Sequence, residues 1–177
     1  MALDESQAYA PRWVTAAEAP EWVPNEIVTG LYMGGTADDD TIDNSRHLYA
    51  DAATEGFDAV ATLYAWARPA GWGTEELRYG FMDGGLDADT VRTVVDTARW
   101  VHRRWSAGAT VLVRCQAGLN RSGLITALVL MLEGRSALEA IALLRERRSP
   151  WALCNDAFVR WLIEDAGAHL ADLEEAA

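Results

Sequence analysis

The chain has 177 residues, 50% of them hydrophobic, with 27 acidic and 15 basic side chains and a formal net charge of -12. This length fits one domain whose core needs neither a disulfide framework nor a structural metal. The negative charge argues against nonspecific binding to nucleic acid or to an anionic membrane, because phosphate neutralisation needs clustered cations. We therefore expect any phosphate recognition to be confined to one local site.

The ends of the chain differ in composition from its middle. Three prolines in residues 1–25, with little hydrophobic periodicity between them, predict an irregular N-terminal extension. We expect one domain over 26–170 and an acidic tail at 171–177. The first residues show no basic stretch followed by an apolar one, and the longest apolar run, Leu124–Leu132, is far shorter than the roughly 20 residues of a membrane span. We therefore expect a cytoplasmic protein that does not associate with a membrane.

Short apolar runs and turn residues dominate the first half of the predicted domain. Two β-rich runs within 26–35 meet at Thr29-Gly30, as in a hairpin. In chain order, this half is predicted to contain that hairpin, a weak helix that follows the polar residues 38–44 and ends near Gly56, a buried strand over 57–64, and a short strand over 77–82.

Helical periodicity dominates the second half. Apolar residues recur at helical spacing from Asp89 to Trp105, which predicts an amphipathic helix that ends near Gly108. The other predicted elements are a strand over 110–113, a helix over 122–132 that is apolar on nearly every face and therefore buried, a helix that opens with the Ser136 and Glu139 capping box and ends at Ser149-Pro150, and a last helix from about Asn155. This alternation predicts an α/β fold, with a central, mostly parallel sheet of about four to five strands flanked by helices.

Cysteine and histidine are too few and too scattered for a disulfide framework or a zinc cluster. The chain has Cys115, Cys154 and three histidines, without the spacing of metal ligands. We expect no metal and no cofactor. Cys154 is more typical of a packed thiol than of a redox partner of Cys115.

The chemistry concentrates in the loop Cys115-Gln-Ala-Gly-Leu-Asn-Arg121, which follows a predicted strand and leads directly into a helix. Wrapped into a cup, such a loop turns its peptide N–H groups inward, and the helix N-terminus adds about half a positive charge. A cup of this kind holds an anion of the size of phosphate. The phosphate-binding candidates are Gln116, Ala117, Gly118, Leu119, Asn120 and Arg121.

Three residues of this loop point to phosphoryl transfer. Gly118 gives the backbone the freedom for a close approach, and the Arg121 guanidinium can bind two phosphate oxygens at once. A helix N-terminus and a nearby guanidinium favour the thiolate, which is the nucleophilic form of cysteine. Cys115 at the floor of the cup therefore predicts attack of sulfur on phosphorus and a cysteinyl-phosphate intermediate. The alternative is a buried cysteine beside a surface arginine, with no chemistry.

The sequence resembles the protein tyrosine phosphatase superfamily, and specifically its compact dual-specificity phosphatases. The resemblance runs over 26–163. It is carried by Glu26–Gly35, which is similar to the family's opening strand pair, by Phe57–Leu63, similar to its first parallel strand, by the Cys115 loop, and by Arg148–Phe158, which contains the family's Ser-Pro, Asn and Phe. It implies a three-layer α/β sandwich and a cysteine-dependent phosphatase activity.

The resemblance also implies roles for residues beside the cup. Asp83, on a glycine-flanked loop after a predicted strand, would be the general acid that protonates the leaving group. Asp87 and Asp89 compete for this role, although Asp89 fits better as a helix N-cap and Asp87 as a solvated residue. Ser122 would hydrogen-bond the Cys115 sulfur and help it depart from phosphorus, with helix capping as the alternative.

Two further residues are candidates for support of the loop. Asn155 matches the family's asparagine, and its alternative role is to cap the last helix. Arg114 stands where the family usually has a histidine, and its permanent charge favours the thiolate without the hydrogen bonds of a neutral imidazole. Two weaker sets stay open: Arg145, Arg147 and Arg148 as a substrate-docking patch or a solvated helix end, and Trp66, Arg68 and Trp72 as a pocket rim or as loop packing.

We interpret the sequence as a phosphomonoester phosphatase acting on phosphotyrosine, with phosphoserine and phosphothreonine as an open extension. Residues 116–120 carry no charge, which argues against highly anionic substrates such as a phosphoinositide or an RNA 5′-triphosphate. The expected partners are a phosphorylated protein or a small aryl phosphate, bound by a monomer. The alternative is a pseudophosphatase that binds phosphorylated partners without turnover. A sulfur-transfer or arsenate-reducing enzyme is disfavoured, because neither needs Asp83 and arsenate reduction needs further redox cysteines.

Overall fold

A computed structural model of the chain describes residues 3–9, 23–36 and 50–171. Most of the predicted N-terminal extension, the polar residues 38–44 with the start of the weak helix after them, and the acidic tail beyond residue 171 lie outside the described residues. Within the extension, Glu5–Ala8 form a 3₁₀ helix. The helix expected to end near Gly56 is described only from residue 50, where Ala52–Thr54 form a second 3₁₀ helix.

A five-stranded sheet forms the centre of the protein. Its strands are β1 (Asn25–Val28), β2 (Leu31–Gly34), β3 (Ala59–Thr62), β4 (Glu75–Arg78) and β5 (Val111–Arg114). In space they follow the order β1-β2-β5-β3-β4, with β1 and β2 antiparallel and every other pair parallel. The α/β class, the hairpin and the mostly parallel sheet are confirmed.

Five α-helices accompany the sheet in the described part of the chain. They are α1 (Ala88–Ser106), α2 (Arg121–Leu132), α3 (Ala137–Arg147), α4 (Asp156–Glu164) and α5 (Ala166–Ala171). Helix α2 contacts β2 and β5 on one side and α1, α3 and α4 on the others, which buries every residue from Arg121 to Leu130. The prediction of an apolar helix buried at the centre is confirmed. None of the helices in the described ranges is long and apolar enough to cross a bilayer.

The strand predicted over 77–82 is displaced, since β4 covers 75–78 and pairs with β3. Strand β4 lies at the edge of the sheet, where charged residues are tolerated. Because three of its four residues are charged, it lacks the apolar run that predicts a buried strand. The apolar residues after it leave the sheet, because the rings of Tyr79 and Phe81 stack with centroids 5.5 Å apart and Phe81 packs against Phe158.

Two helix boundaries also differ from the prediction. Asp87, and not Asp89, caps α1, because the Asp87 carboxylate accepts a hydrogen bond from the Thr90 N–H at 2.8 Å. Asp89 lies in the first turn of the helix. The predicted last helix is two helices, because Asp165 ends α4 and α5 begins at the next residue.

Candidate active site

The loop Cys115–Arg121 connects the carboxyl end of β5 to the start of α2. Strand β5 lies between β2 and β3, so the loop emerges at the middle of the sheet. The Cys115 side chain is only 2% exposed, and its sulfur lies 3.3 Å from the Ser122 hydroxyl oxygen. The predicted pair of nucleophile and hydroxyl is therefore within hydrogen-bond distance.

The path of the loop depends on two close backbone approaches. Gly118 has a φ of +69°, and a Cβ added there would lie 2.4 Å from the Gly34 carbonyl carbon. A Cβ at Gly35 would lie 2.8 Å from the Gln116 carbonyl oxygen. Both positions therefore exclude any side chain, which agrees with the predicted need for glycine at 118.

The carbonyl groups of the loop point outward, to partners around it. They accept hydrogen bonds as follows: Gln116 from the Thr36 N–H, Ala117 and Gly118 from the Arg148 guanidinium, and Leu119 from the Leu153 N–H. Because a peptide N–H points opposite to the preceding carbonyl, the N–H groups of residues 117–120 turn to the inside of the loop. Within the described part of the chain these four N–H groups have no hydrogen-bond acceptor. The loop between Cys115 and Arg121 therefore forms a cup of inward-facing donors.

Arg148 is a support for the cup that sequence reasoning missed. It is 7% exposed, and its guanidinium donates to the Gly118 carbonyl at 3.0 Å, to the Val23 carbonyl at 2.7 Å and to Asn25 Oδ1 at 2.5 Å. Burial lowers the pKa of Arg148, and the nearby Cys115 acts in the opposite direction. Neither a docking patch nor a solvated helix end describes this residue. Its position directly before Ser149-Pro150, within the segment that resembles the family, is the signal that could have found it.

The two neighbours of Arg148 in the proposed patch have separate surroundings. Arg145 donates to the carbonyls of Ala152 and Leu153 and to that of Gln7 in the N-terminal 3₁₀ helix. Arg147 is exposed beside Glu146, at 3.5 Å. The three arginines therefore do not form one surface.

Arg121 lies at the opposite end of the cup from Cys115 and is 9% exposed. Its Nη1 donates to the Phe81 carbonyl at 3.1 Å and to the Leu63 carbonyl at 3.4 Å, and its guanidinium lies over the Tyr64 ring at 5.4 Å. Its buried Nε has no hydrogen-bond partner in the described residues. One edge of the guanidinium is thus held in place while Nε remains able to bind an anion.

Asp83 reaches the rim of the cup through two asparagines. Its Oδ2 accepts a hydrogen bond from Asn120 Nδ2 at 3.0 Å, and its Oδ1 accepts one from Asn155 Nδ2 at 2.8 Å. The structure therefore brings the expected acid and both asparagines together beside the loop. Asn155 also caps α4, because its Oδ1 accepts from the Ala157 N–H.

The family model of the dual specificity phosphatase catalytic domain matches residues 75–166, which include Asp83, the whole cup and Asn155. The chain belongs to the dual specificity phosphatase family. Membership of this family supports a phosphatase function. No curated protein sequence matches the chain.

Solved structures share the fold of this dual specificity phosphatase. Human DUSP28 is 21% identical, with a TM-score of 0.66, over 84% of this chain and 95% of that chain. The human tyrosine phosphatase-like serine/threonine/tyrosine-interacting protein is 20% identical, with a TM-score of 0.64, over 85% of this chain and 100% of that chain. Tk-PTP in its active form is 22% identical, with a TM-score of 0.61, over 84% and 96%. These similarities agree with a three-layer α/β sandwich.

Arg114, which departs from the family's usual histidine, points away from the cup. It is 0% exposed, and its guanidinium donates to Thr62 Oγ1 at 2.9 Å, to Asp51 Oδ2 at 2.6 Å and to the Arg68 carbonyl at 2.6 Å. Glu76 Oε1 lies 3.3 Å from Arg114 Nη2. Within the described residues it makes no hydrogen bond to residues 116–121. Support of the loop by Arg114 therefore stays a prediction, while its contacts fasten β5 to the elements beside it.

The charges around Arg114 balance one another. Burial lowers the pKa of Arg114, and the Asp51 and Glu76 carboxylates oppose this. Burial raises the pKa of Glu76, but hydrogen bonds from Thr62 and Ala70 and the charges of nearby arginines bring it below its ordinary value. The Asp51 and Glu76 carboxylates thus compensate the buried charge of Arg114.

Asp51→Asn is expected to lower the free energy of unfolding by about 3 kcal/mol, because it leaves a buried guanidinium partly uncompensated. An amide has one acceptor oxygen, whereas Asp51 accepts from Arg114 at Oδ2 and from the Ala53 N–H at Oδ1. Urea denaturation measures the effect. Asp96→Asn, at an exposed carboxylate of α1, is the matched control and is expected to change stability by less than about 0.5 kcal/mol. Equal losses in both variants would contradict the role of the ion pair.

The two tryptophans proposed for the pocket rim lie at opposite ends of the parallel strands. Trp66 follows β3 at the carboxyl ends of the strands, where the cup lies, and is largely exposed. Trp72 precedes β4, beside the loop in which the Thr74 hydroxyl donates to the Phe57 carbonyl, and is fully exposed. Trp72 therefore neither rims the cup nor packs in its loop. Arg68 lies between them and gives its carbonyl to Arg114.

Proposed function

We propose that this protein hydrolyses phosphomonoesters, with Cys115 as nucleophile and a cysteinyl-phosphate as intermediate. The observation that carries the proposal is the set of N–H groups of residues 117–120, which have no acceptor among the described residues, between the buried Cys115 and Arg121. Oriented peptide N–H groups, a helix N-terminus and a guanidinium stabilise the charge that spreads over the phosphoryl oxygens in the transition state.

In the first step the Cys115 thiolate attacks phosphorus, so that an S–P bond forms as the bond to the leaving oxygen breaks. The Asp83 carboxyl group gives its proton to that oxygen. In the second step water attacks phosphorus, its proton passes to the Asp83 carboxylate, and the S–P bond breaks to return the thiolate. The Ser122 hydroxyl, 3.3 Å from the sulfur, stabilises the departing thiolate by a hydrogen bond.

The cup favours a substrate with a single phosphoryl group. Residues 116–120 are uncharged, and the carbonyls of 116–119 are already bound on the outside, so among residues 115–121 only Arg121 offers a cationic side chain. Phosphotyrosine in a protein and small aryl phosphates fit this site, with phosphoserine and phosphothreonine as the wider range. The protein acts on them as a monomer.

The second candidate is a pseudophosphatase that binds phosphorylated partners without turnover. The observation in its favour is Arg114, which replaces the family's histidine and turns toward Asp51 rather than toward the sulfur. Against it stands the coexistence of Cys115, Ser122 and Asp83 around one cup, since binding alone needs neither a nucleophile nor an acid.

Asp83→Ala is expected to lower kcat for 4-nitrophenyl phosphate by roughly 10²- to 10⁴-fold and to remove the basic limb of the bell-shaped pH profile. Loss of a general acid removes the limb that its deprotonation creates. The assay is run without metal over a range of pH. Asp87→Ser replaces the cap of α1 by another capping residue at the end of the same loop and is expected to leave the profile unchanged. A basic limb that persists in Asp83→Ala would exclude Asp83 as the acid.

A further inference from the structure

Asn120 occupies the N-cap position of α2, yet its side chain makes no capping hydrogen bond. Its Oδ1 instead accepts from the Asn155 N–H at 3.0 Å and from the Cys154 thiol at 3.3 Å, and its Nδ2 donates to Asp83 Oδ2. Asparagine is favoured at this position because it can cap. Here the amide serves a contact between the cup and the loop that carries Asp83.

The second asparagine approaches Asp83 from the start of α4. Asn155 Oδ1 is occupied by the Ala157 N–H, so its Nδ2 faces Asp83 Oδ1 at 2.8 Å and the Gly84 carbonyl at 3.2 Å. The N–H and thiol donors that bind the Oδ1 atom of each amide determine which way both asparagines are oriented. Each Asp83 oxygen therefore receives one amide donor.

In the loop around Asp83, Leu86 packs against the hydrophobic core, whereas the residues next to Asp83 are loosely packed. Met82 is largely exposed, and a Cβ added at Gly84 or at Gly85 would meet no atom within 4 Å. Before the loop, the Phe81 carbonyl is bound by Arg121, and after it Asp87 caps α1. Between these points, the hydrogen bonds that side chains of other described residues make to the loop are those of Asn120 and Asn155.

We infer that Asn120 and Asn155 are positioning residues for proton transfer, which together hold the Asp83 carboxyl group over the phosphate cup. The inference rests on the proposed function, because it assigns to the pair the placement of the acid. The backbone N–H of Asn120 belongs to the cup, whereas its side chain serves the acid.

A positioning role predicts a dependence on the leaving group. Phenyl phosphate releases a basic phenoxide and needs protonation, whereas 2,4-dinitrophenyl phosphate releases a stable anion and needs little. Asn155→Ser keeps an N-cap for α4 but removes the amide donor to Asp83. It is expected to lower kcat/KM for phenyl phosphate by about 10- to 100-fold, as for a misplaced catalytic group. For 2,4-dinitrophenyl phosphate the expected decrease in kcat/KM is less than about threefold, because this constant covers only the steps up to departure of the leaving group.

The experiment measures kcat/KM on both substrates for five proteins. They are wild type, Asn155→Ser, Asn120→Ala, Asp83→Ala and the matched control Asp87→Ser. Inhibition by inorganic phosphate reports the state of the cup, and thermal unfolding reports folding. Support for the inference is a selective loss on phenyl phosphate in both asparagine variants, with the phosphate inhibition constant unchanged. Asp83→Ala is expected to show the same selectivity more strongly.

Three other results overturn the inference in distinguishable ways. Equal losses on both substrates, with weaker phosphate inhibition, would assign the pair to support of the cup and leave Asp83 as the acid. The asparagine variants could instead keep the wild-type ratio of activities on the two substrates while Asp83→Ala loses activity mainly on phenyl phosphate. That result would show that the acid needs no support from the asparagines. Equal losses on both substrates in Asp83→Ala would show that Asp83 is not the general acid, so the asparagines would have no acid to position. The failure would then lie in the proposed function.

Discussion

Replacement of Cys115 by serine is expected to abolish hydrolysis of 4-nitrophenyl phosphate, with kcat lower by at least about 10⁴-fold. The serine hydroxyl is not ionised near neutral pH, and the described side chain within hydrogen-bond distance of this position is the Ser122 hydroxyl, which is not a base. The residue is 2% exposed, so the smaller oxygen atom replaces sulfur without opening the cup to new groups. Steady-state turnover and rapid quench measure the loss, the second through the missing phosphorylated intermediate.

Cys154→Ser is the matched control for this variant. It exchanges one thiol donor to Asn120 for a hydroxyl donor, so hydrolysis is expected to stay within about threefold of wild type. The Cys115→Ser protein is expected to retain binding of inorganic phosphate, because the N–H groups of the cup do not depend on sulfur. Continued turnover in Cys115→Ser would exclude the cysteinyl-phosphate route. A wild-type protein that binds phosphate without any turnover would instead support the pseudophosphatase.

Arg121→Lys is expected to lower kcat by roughly 10³-fold and to weaken inhibition by inorganic phosphate. Lysine keeps the positive charge but cannot bind two phosphoryl oxygens with one planar group. The guanidinium of Arg121 can donate to the Phe81 and Leu63 carbonyls while its other N–H groups bind a phosphoryl group. A lysine ammonium group cannot do both. Steady-state kinetics and the inhibition constant for phosphate test both parts.

The control for Arg121→Lys is the same exchange at Arg92, an exposed residue of α1. Arg92→Lys is expected to leave both constants at their wild-type values. If Arg121→Lys retained most of the wild-type kcat, charge alone would account for the cationic contribution to the cup. Planar, forked binding of the phosphoryl oxygens would then not be required.

The elements of the fold that rest on local patterns could be read from the sequence. The hairpin at Thr29-Gly30, the amphipathic helix α1, the capping box at Ser136 and the buried helix α2 all follow from spacing and turn chemistry within a few residues. Strand β4 could not, because its charged residues are typical of a loop unless the partner strand is known. The choice of Asp87 over Asp89 as a cap also escaped, since either carboxylate can reach the N–H three residues ahead.

The residues of the cup could be predicted from the sequence alone. Cys115, Gly118, Arg121 and the following apolar helix lie within a short stretch, so local geometry was enough to propose their chemistry. The contacts around the cup came from tertiary packing: Arg148 on its carbonyls, Asn120 and Asn155 on Asp83, and Arg114 on Asp51. The physical reason is range. A backbone turn is governed by neighbouring residues, whereas the partner of a long polar side chain depends on which distant segments the packed core brings within hydrogen-bond distance.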